Sequence, residues 1–310
     1  MIKIKEIETY KNYGRVLSLS NGKIEAYITI DIGPRIIRFG FVDGQNIMQD
    51  DRESFGVLSD NVYEKYFGIG KGWENLGGHR IWASPEAYPK TLYPDLDPVK
   101  YEIIDNGAIF TPPAEVENGI QKQLVVTMSE HSANMHVNMR IINCSDNNKT
   151  YSVWGITVCE KGGKLIIPTN TNDTGRLPNR VMSVWPYTDL SDDRITFTKN
   201  YVTITQKTPK DPLKLAFDLN GGSAYYVLGE DVFVKSYKTL HPDAVYPDGG
   251  CSFETYTNSD FIEVESLGEL KEVKPLEALE LCENWSLIKL DNATEITDEE
   301  SIDLLLKKIK

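Results

Sequence analysis

The sequence predicts an all-β chain of antiparallel strands, and three observations carry that expectation. Short runs alternate apolar and polar residues along most of the chain, turn-forming residues separate the runs, and no long helical pattern lies between them. Taken alone, the pattern fits either two packed antiparallel sheets or a closed barrel.

The first clear strand follows Asn21-Gly22, a pair that favours a tight hairpin turn: Ile24, Ala26, Ile28 and Ile30 alternate with Glu25, Tyr27 and Thr29. Further strands are expected near 35–42, 99–104, 121–128, 133–142, 150–159, 201–205, 214–219, 223–229, 231–238, 251–256, 261–267 and 284–290. Asp105-Asn106-Gly107, Asn118-Gly119, Asn220-Gly221-Gly222 and Asp248-Gly249-Gly250 punctuate them. Residues 83–98 hold Pro85, Pro89, Pro94 and Pro98 and read as an ordered irregular loop. Residues 168–194 read as a second long loop that carries Trp185 and Tyr187, and loops of this length usually serve a site or a contact. Near the end, Thr297 followed by Glu300 reads as a capping box, and Ile302, Leu305, Leu306 and Ile309 form one apolar stripe. A short C-terminal helix that docks on the domain is therefore expected, with Lys307, Lys308 and Lys310 at its negative end. No low-complexity linker or internal repeat divides the chain, so residues 1–310 are expected to form one domain.

Composition excludes several function classes. With 46 acidic against 33 basic residues the net charge is -13, which repels phosphate backbones and anionic lipid, so neither nucleic acid nor membrane is an expected partner. No segment reaches the roughly 18 apolar residues of a membrane span, and MIKIKEIETYKN at the start has no apolar run, so a cytoplasmic protein is expected. Cys144, Cys159, Cys251 and Cys282 lack paired metal spacing and sit in strand contexts, as free buried thiols do. No zinc motif, calcium loop, phosphate-binding loop, dinucleotide fingerprint or G-x-S-x-G element is present, so no cofactor or metal is expected.

Three clusters could carry chemistry. In Phe261-Ile262-Glu263-Val264-Glu265-Ser266-Leu267 the period of two puts Glu263 and Glu265 on one face, about 7 Å apart, where they can share acid and base roles or grip sugar hydroxyls; a solvated acidic face is the plain alternative. In Gly72-Trp73-Glu74-Asn75-Leu76-Gly77-Gly78-His79-Arg80-Ile81-Trp82 the paired glycines allow tight passage of the chain. His79 there could donate a proton, Arg80 could hold an oxygen, and Trp73 or Trp82 could stack on a pyranose or lie in the core. His241-Pro242-Asp243 through Gly250 is a shaped loop in which Asp248 either lines a site or serves the turn, and Glu254 follows on the next strand.

These clusters resemble the DUF4380 family of the galactose mutarotase-like superfamily. The residues that carry the resemblance are Gly77-Gly78-His79-Arg80-Ile81-Trp82 with Ser84-Pro85-Glu86, and Leu177-Pro178-Asn179-Arg180 with Val184-Trp185-Pro186-Tyr187-Thr188-Asp189-Leu190. The run from Tyr246-Pro247-Asp248-Gly249-Gly250 through Glu254 to Asn258, the strand 261–267 and Trp285-Ser286-Leu287 complete it. The resemblance implies an antiparallel β-supersandwich whose concave face holds a mono- or oligosaccharide. It also implies a glutamate base late in the chain, at Glu263 or Glu265, and a histidine acid at His79; the second histidine of mutarotases has no secure match in His131, His136 or His241. Arg80, Trp82, Glu86, Trp185, Tyr187, Asp248 and Glu254 are the expected substrate contacts. The expected activity is that of an aldose mutarotase or related sugar isomerase. A non-catalytic sugar-binding or sensing protein, and a glycoside hydrolase or lyase pairing Glu263 with Glu86 or Glu254, are the alternatives.

Overall fold

A computed structural model describes residues 1–54, 56–208, 210–219, 222–238 and 243–309, the side chain of Ser54 excepted. Two large sheets form the molecule, and every strand pairing among the described residues that builds them is antiparallel. The first sheet runs Lys3–Ile7, Val16–Ser20, Ile24–Thr29, Ile36–Phe41, Gly78–Ser84, Lys149–Glu160, Phe261–Leu267, Phe253–Thr257, Leu213–Phe217, Met182–Val184, with Lys271–Val273 added beside Lys149–Glu160. The second runs Ile195–Phe197, Tyr201–Thr205, Lys164–Pro168, Ser223–Leu228, Asp231–Tyr237, Ala278–Lys289, Asn134–Asn143, Ile120–Met128, Gly107–Thr111, Lys100–Ile104. Both end in edge strands, so the packed-sheet alternative holds and the closed barrel does not.

Alternation supplies the core. Phe39, Ile81 and Val264 of the first sheet and Phe110, Met139 and Trp285 of the second belong to one buried cluster. The strand expected at 284–290 begins earlier, at Ala278, because Leu281, Glu283, Trp285 and Leu287 all point inward and the charge of Glu283 masks the pattern. Buried Lys235 answers it from the neighbouring strand: its Nζ lies 3.1 Å from Glu283 Oε1 and donates to Gly155 O, Thr157 Oγ1 and Val264 O of the opposite sheet at 2.9, 2.9 and 2.8 Å.

Three expectations are corrected. The C-terminal helix spans Glu299–Ile309, and its cap is Asp298, whose carboxylate accepts from Ser301 N at 2.9 Å while Ser301 Oγ accepts from Asp298 N at 3.1 Å; Thr297 and Glu300 are each one place off. As expected, Ile302, Leu305 and Leu306 are buried, against Ile166, Val227 and Val232 on the outer face of the second sheet. All four cysteines are free, but Cys144 and Cys282 are exposed. A short helix, Asn61–Phe67, precedes the first long loop; Asp60 caps it, and Tyr63 and Phe67 bury against Trp82, Leu92 and Trp154. His241 and Lys310 lie outside the described residues. No helix of the described residues is long and apolar enough to cross a membrane.

Candidate functional site

The site is assembled on the outer face of the first sheet, where five strands lie side by side. Register places Ile156 opposite both Arg80 and Glu265, and Glu265 opposite Glu254, so Arg80, Ile156, Glu265 and Glu254 form a row across four strands. Glu263 lies two residues from Glu265 on the same face, next to Arg80: Arg80 Nη2 donates to Glu263 Oε1 at 3.0 Å. The pairs Glu254–Glu265 and Thr257–Ile262 bracket Tyr256, putting it opposite Glu263.

Two glycines make the arrangement possible at the start of the Gly78–Ser84 strand. Gly77 and Gly78 have φ of +67° and +59°, and a Cβ would meet Gln49 O at 2.3 Å or Ile36 O at 2.4 Å, respectively. Arg80 then lies over Trp82, with its guanidinium carbon 4.3 Å from the ring centre and 5.8 Å from that of Trp73. Trp82 is buried and packs edge-on against Trp154. Its ring therefore supports Arg80, and of the two roles open to Trp82 the core one holds and the sugar platform does not.

Lys214 is the residue that sequence reading missed. Its ammonium lies 2.8 Å from Glu254 Oε2 and 3.6 Å from Glu265 Oε2, between the rings of Trp154 and Trp185 at 4.5 and 4.7 Å. Trp154 Nε1 donates to Glu265 Oε2 at 2.8 Å. The turn carrying Trp185 and Tyr187 is tied to the same lysine, since Trp185 N and Thr188 Oγ1 both donate to Lys214 O, at 3.4 and 2.8 Å. A lone lysine inside the apolar run Leu213-Lys214-Leu215-Ala216-Phe217 was the signal available, because an unpaired charge is not buried in such a strand.

Burial sets the protonation of the two inner carboxyls. Burial pushes Glu265 up to about 7, opposed by Lys214 and supported by Glu263. Burial likewise pushes Glu254 up to about 9, against Lys214, with Glu265 and a hydrogen bond to Asp248 adding to the rise. Glu263 retains 7% exposure where Glu254 and Glu265 have none, so it is the most accessible of the three. On the same face Glu160 follows Val158, the register partner of Glu263, and lines a cleft of about 630 Å³ with Lys11, Gln49, Asp50, Asp51 and Asp260.

The structure thus brings Arg80, Trp82, Trp185, Glu254, Glu263 and Glu265 together. Tyr187 is half-exposed and feels Lys214, Glu265 and Glu86, which puts it and exposed Glu86 at the rim. Asp248, at φ +49°, serves the Gly249-Gly250 turn and faces Glu254. His79 is not among them. As the neighbour of Arg80 in an extended strand it points to the opposite face, into the core between the sheets. There its Nδ1 lies 2.9 Å from Thr157 Oγ1, its Nε2 3.2 Å from Met139 Sδ, and its ring edge-on to Trp285. Burial, and then Lys235, hold its pKa well below the usual value, so it is a neutral core imidazole. Exposed His131 and His136 lie elsewhere, His136 bonded to Asn284.

No protein-family model matches the chain, and no curated protein matches its sequence. Solved structures do match its fold. The fold is that of the galactose mutarotase-like proteins. A candidate aldose 1-epimerase from Klebsiella pneumoniae aligns over 99% of this chain and 87% of its own, with a TM-score of 0.60 and 11% identity. A TPR-domain-containing protein from Parabacteroides distasonis aligns over 92% of this chain at TM-score 0.59 and 13% identity; the match covers 49% of that longer protein. A galactose mutarotase-like protein from Clostridium acetobutylicum aligns over 94% of this chain and 99% of its own, with a TM-score of 0.54 and 11% identity.

Proposed function

We propose that the chain binds a mono- or oligosaccharide on the outer face of the first sheet and interconverts its anomers, as an aldose mutarotase or related sugar isomerase of the DUF4380 family. The observation that carries this reading is the adjacency of two carboxyls on one strand face, Glu263 paired with Arg80 and Glu265 buried beside Lys214 with its pKa raised to about 7. Glu263 takes the proton of the anomeric hydroxyl as the bond from the anomeric carbon to the ring oxygen breaks. Glu265 gives its proton to that ring oxygen, leaving the open-chain aldehyde, and closure on the other face reverses both transfers. Glu265 is fully covered, so this reading requires the cover formed by Trp154, Lys214 and the Trp185 ring on Lys214 to open for the sugar. The adjoining cleft of about 630 Å³ is of a size that accepts one or two sugar rings. The acidic surface suits a neutral ligand in the cytoplasm and no nucleic acid or membrane.

Freshly dissolved single anomers of common hexoses, pentoses and uronic acids, followed by NMR, test the proposal. Accelerated equilibration that falls at least ~100-fold in Glu263→Gln is expected. Saturable binding with equilibration no faster than in buffer would overturn the isomerase in favour of a sugar-binding protein without turnover. The complete burial of Glu254 and Glu265 supports that second reading.

A further inference from the structure

A second cavity, of about 340 Å³, lies at the far end of the strand that carries Arg80. It is bounded by the residues after Ser84, by the turn leading into Ile120–Met128, and by the start of Lys149–Glu160. Its walls are largely apolar, from Pro85, Ala87, Ile120 and the buried ring of Tyr151. In one wall lies a buried ion pair, Lys122 Nζ to Glu115 Oε1 at 2.5 Å. The inner charges are thereby matched among themselves.

Two features of this cavity are not matched. Ser84 lines it at 1% exposure, and its Oγ has no hydrogen-bond partner. A buried hydroxyl left that way costs the fold stability. At the mouth stand Lys90 and Lys149, and among the described residues neither has an ion-pair partner. Lining charges are Lys90, Lys122 and Lys149 against Glu115 and Glu117, a local positive excess on a chain whose net charge is -13.

We propose that this cavity is a binding site for a small monocarboxylic acid, its apolar body against Pro85, Ala87, Ile120 and Tyr151 and its carboxylate between Lys90, Lys149 and the Ser84 hydroxyl. Two ammonium groups and one hydroxyl match the oxygens of a single carboxylate on an apolar body, with Thr91, Asn118 and Thr150 as further polar lining. The cavity volume suits acids of about four to eight carbons. The inference is independent of the sugar chemistry, which uses other residues.

The test is a titration of the full chain with butyrate, hexanoate, benzoate and phenylacetate, read by protein and ligand NMR, alongside the primary alcohols of the same skeletons and inorganic phosphate. Saturable binding of at least one acid is expected, at least tenfold tighter than its alcohol, and weakened at least tenfold in Lys90→Gln/Lys149→Gln. Ala87→Trp, at an exposed position, should block the cavity without disturbing the thermal transition. Silence from all four acids, equal binding of acid and alcohol, tighter binding of phosphate, or acid binding that survives both variants would overturn the proposal.

Discussion

Glu254 and Glu265 face each other across adjacent strands with Lys214 between them, and that contact makes part of the molecule's stability depend on pH. Both folded-state pKa values are raised, to about 9 and about 7, over those of an unfolded glutamate. The folded state therefore holds protons that the unfolded chain has already lost. Stability from these groups is complete below about pH 4.5 and falls as pH rises through 7 and 9. Glu254→Gln removes the larger shift, so its thermal midpoint should exceed that of the parent at pH 8–9, by roughly 2 °C per kcal/mol recovered, and match it near pH 5. A gain that is equal at both pH values would show that Glu254 ionises normally. At this scale the same-face placement of Glu263 and Glu265 was legible, since a strand has a period of two. The same period separates His79 from Arg80. Lys214 was not legible as a site residue, because each of its partners comes from a different strand or turn.

Elements were legible where alternation was clean and obscured where a buried charge interrupted it. Ala278–Lys289 lost its first half to Glu283, and Leu213–Phe217 concealed Lys214. Helix Asn61–Phe67 has too few residues for a periodic stripe, and only its packing on Trp82 and Trp154 explains it. The C-terminal helix was legible from its stripe, but its start moved one residue because Asp298 and Ser301 satisfy each other's backbone donors. Asp298→Ala should cost about 1 kcal/mol, a loss of roughly 2 °C in thermal midpoint, and Thr297→Ala much less. Leu305→Ala, which opens a gap under the helix against the second sheet, should cost about 2–5 kcal/mol. If the helix merely rested on the surface, denaturant midpoints would separate none of these variants from the parent.

For the whole molecule, the consequential contact is the one that ties the two sheets together behind the site. Lys235 and Glu283, both fully buried, form the ionic centre of that link, and Lys235 also holds Val264 O, the carbonyl between Glu263 and Glu265. Lys235→Met leaves Glu283 buried without a counter-ion and should cost about 3–5 kcal/mol, whereas Lys235→Met/Glu283→Leu should recover most of it, because removing both charges removes the desolvation penalty. A double variant as unstable as the single one would mean that Lys235 acts through its carbonyl contacts instead. The sequence by itself determined that the chain is built of antiparallel strands with a docked C-terminal helix, and which residues of each strand share a face. Those properties follow from local backbone geometry, and neighbouring residues suffice to express them. Only the tertiary structure decided that His79 belongs to the core, that Trp82 underlies Arg80, and that a lysine from one strand sits between glutamates from two others. These depend on which strands become neighbours and in what register, and burial then changes the charge of what they bring together.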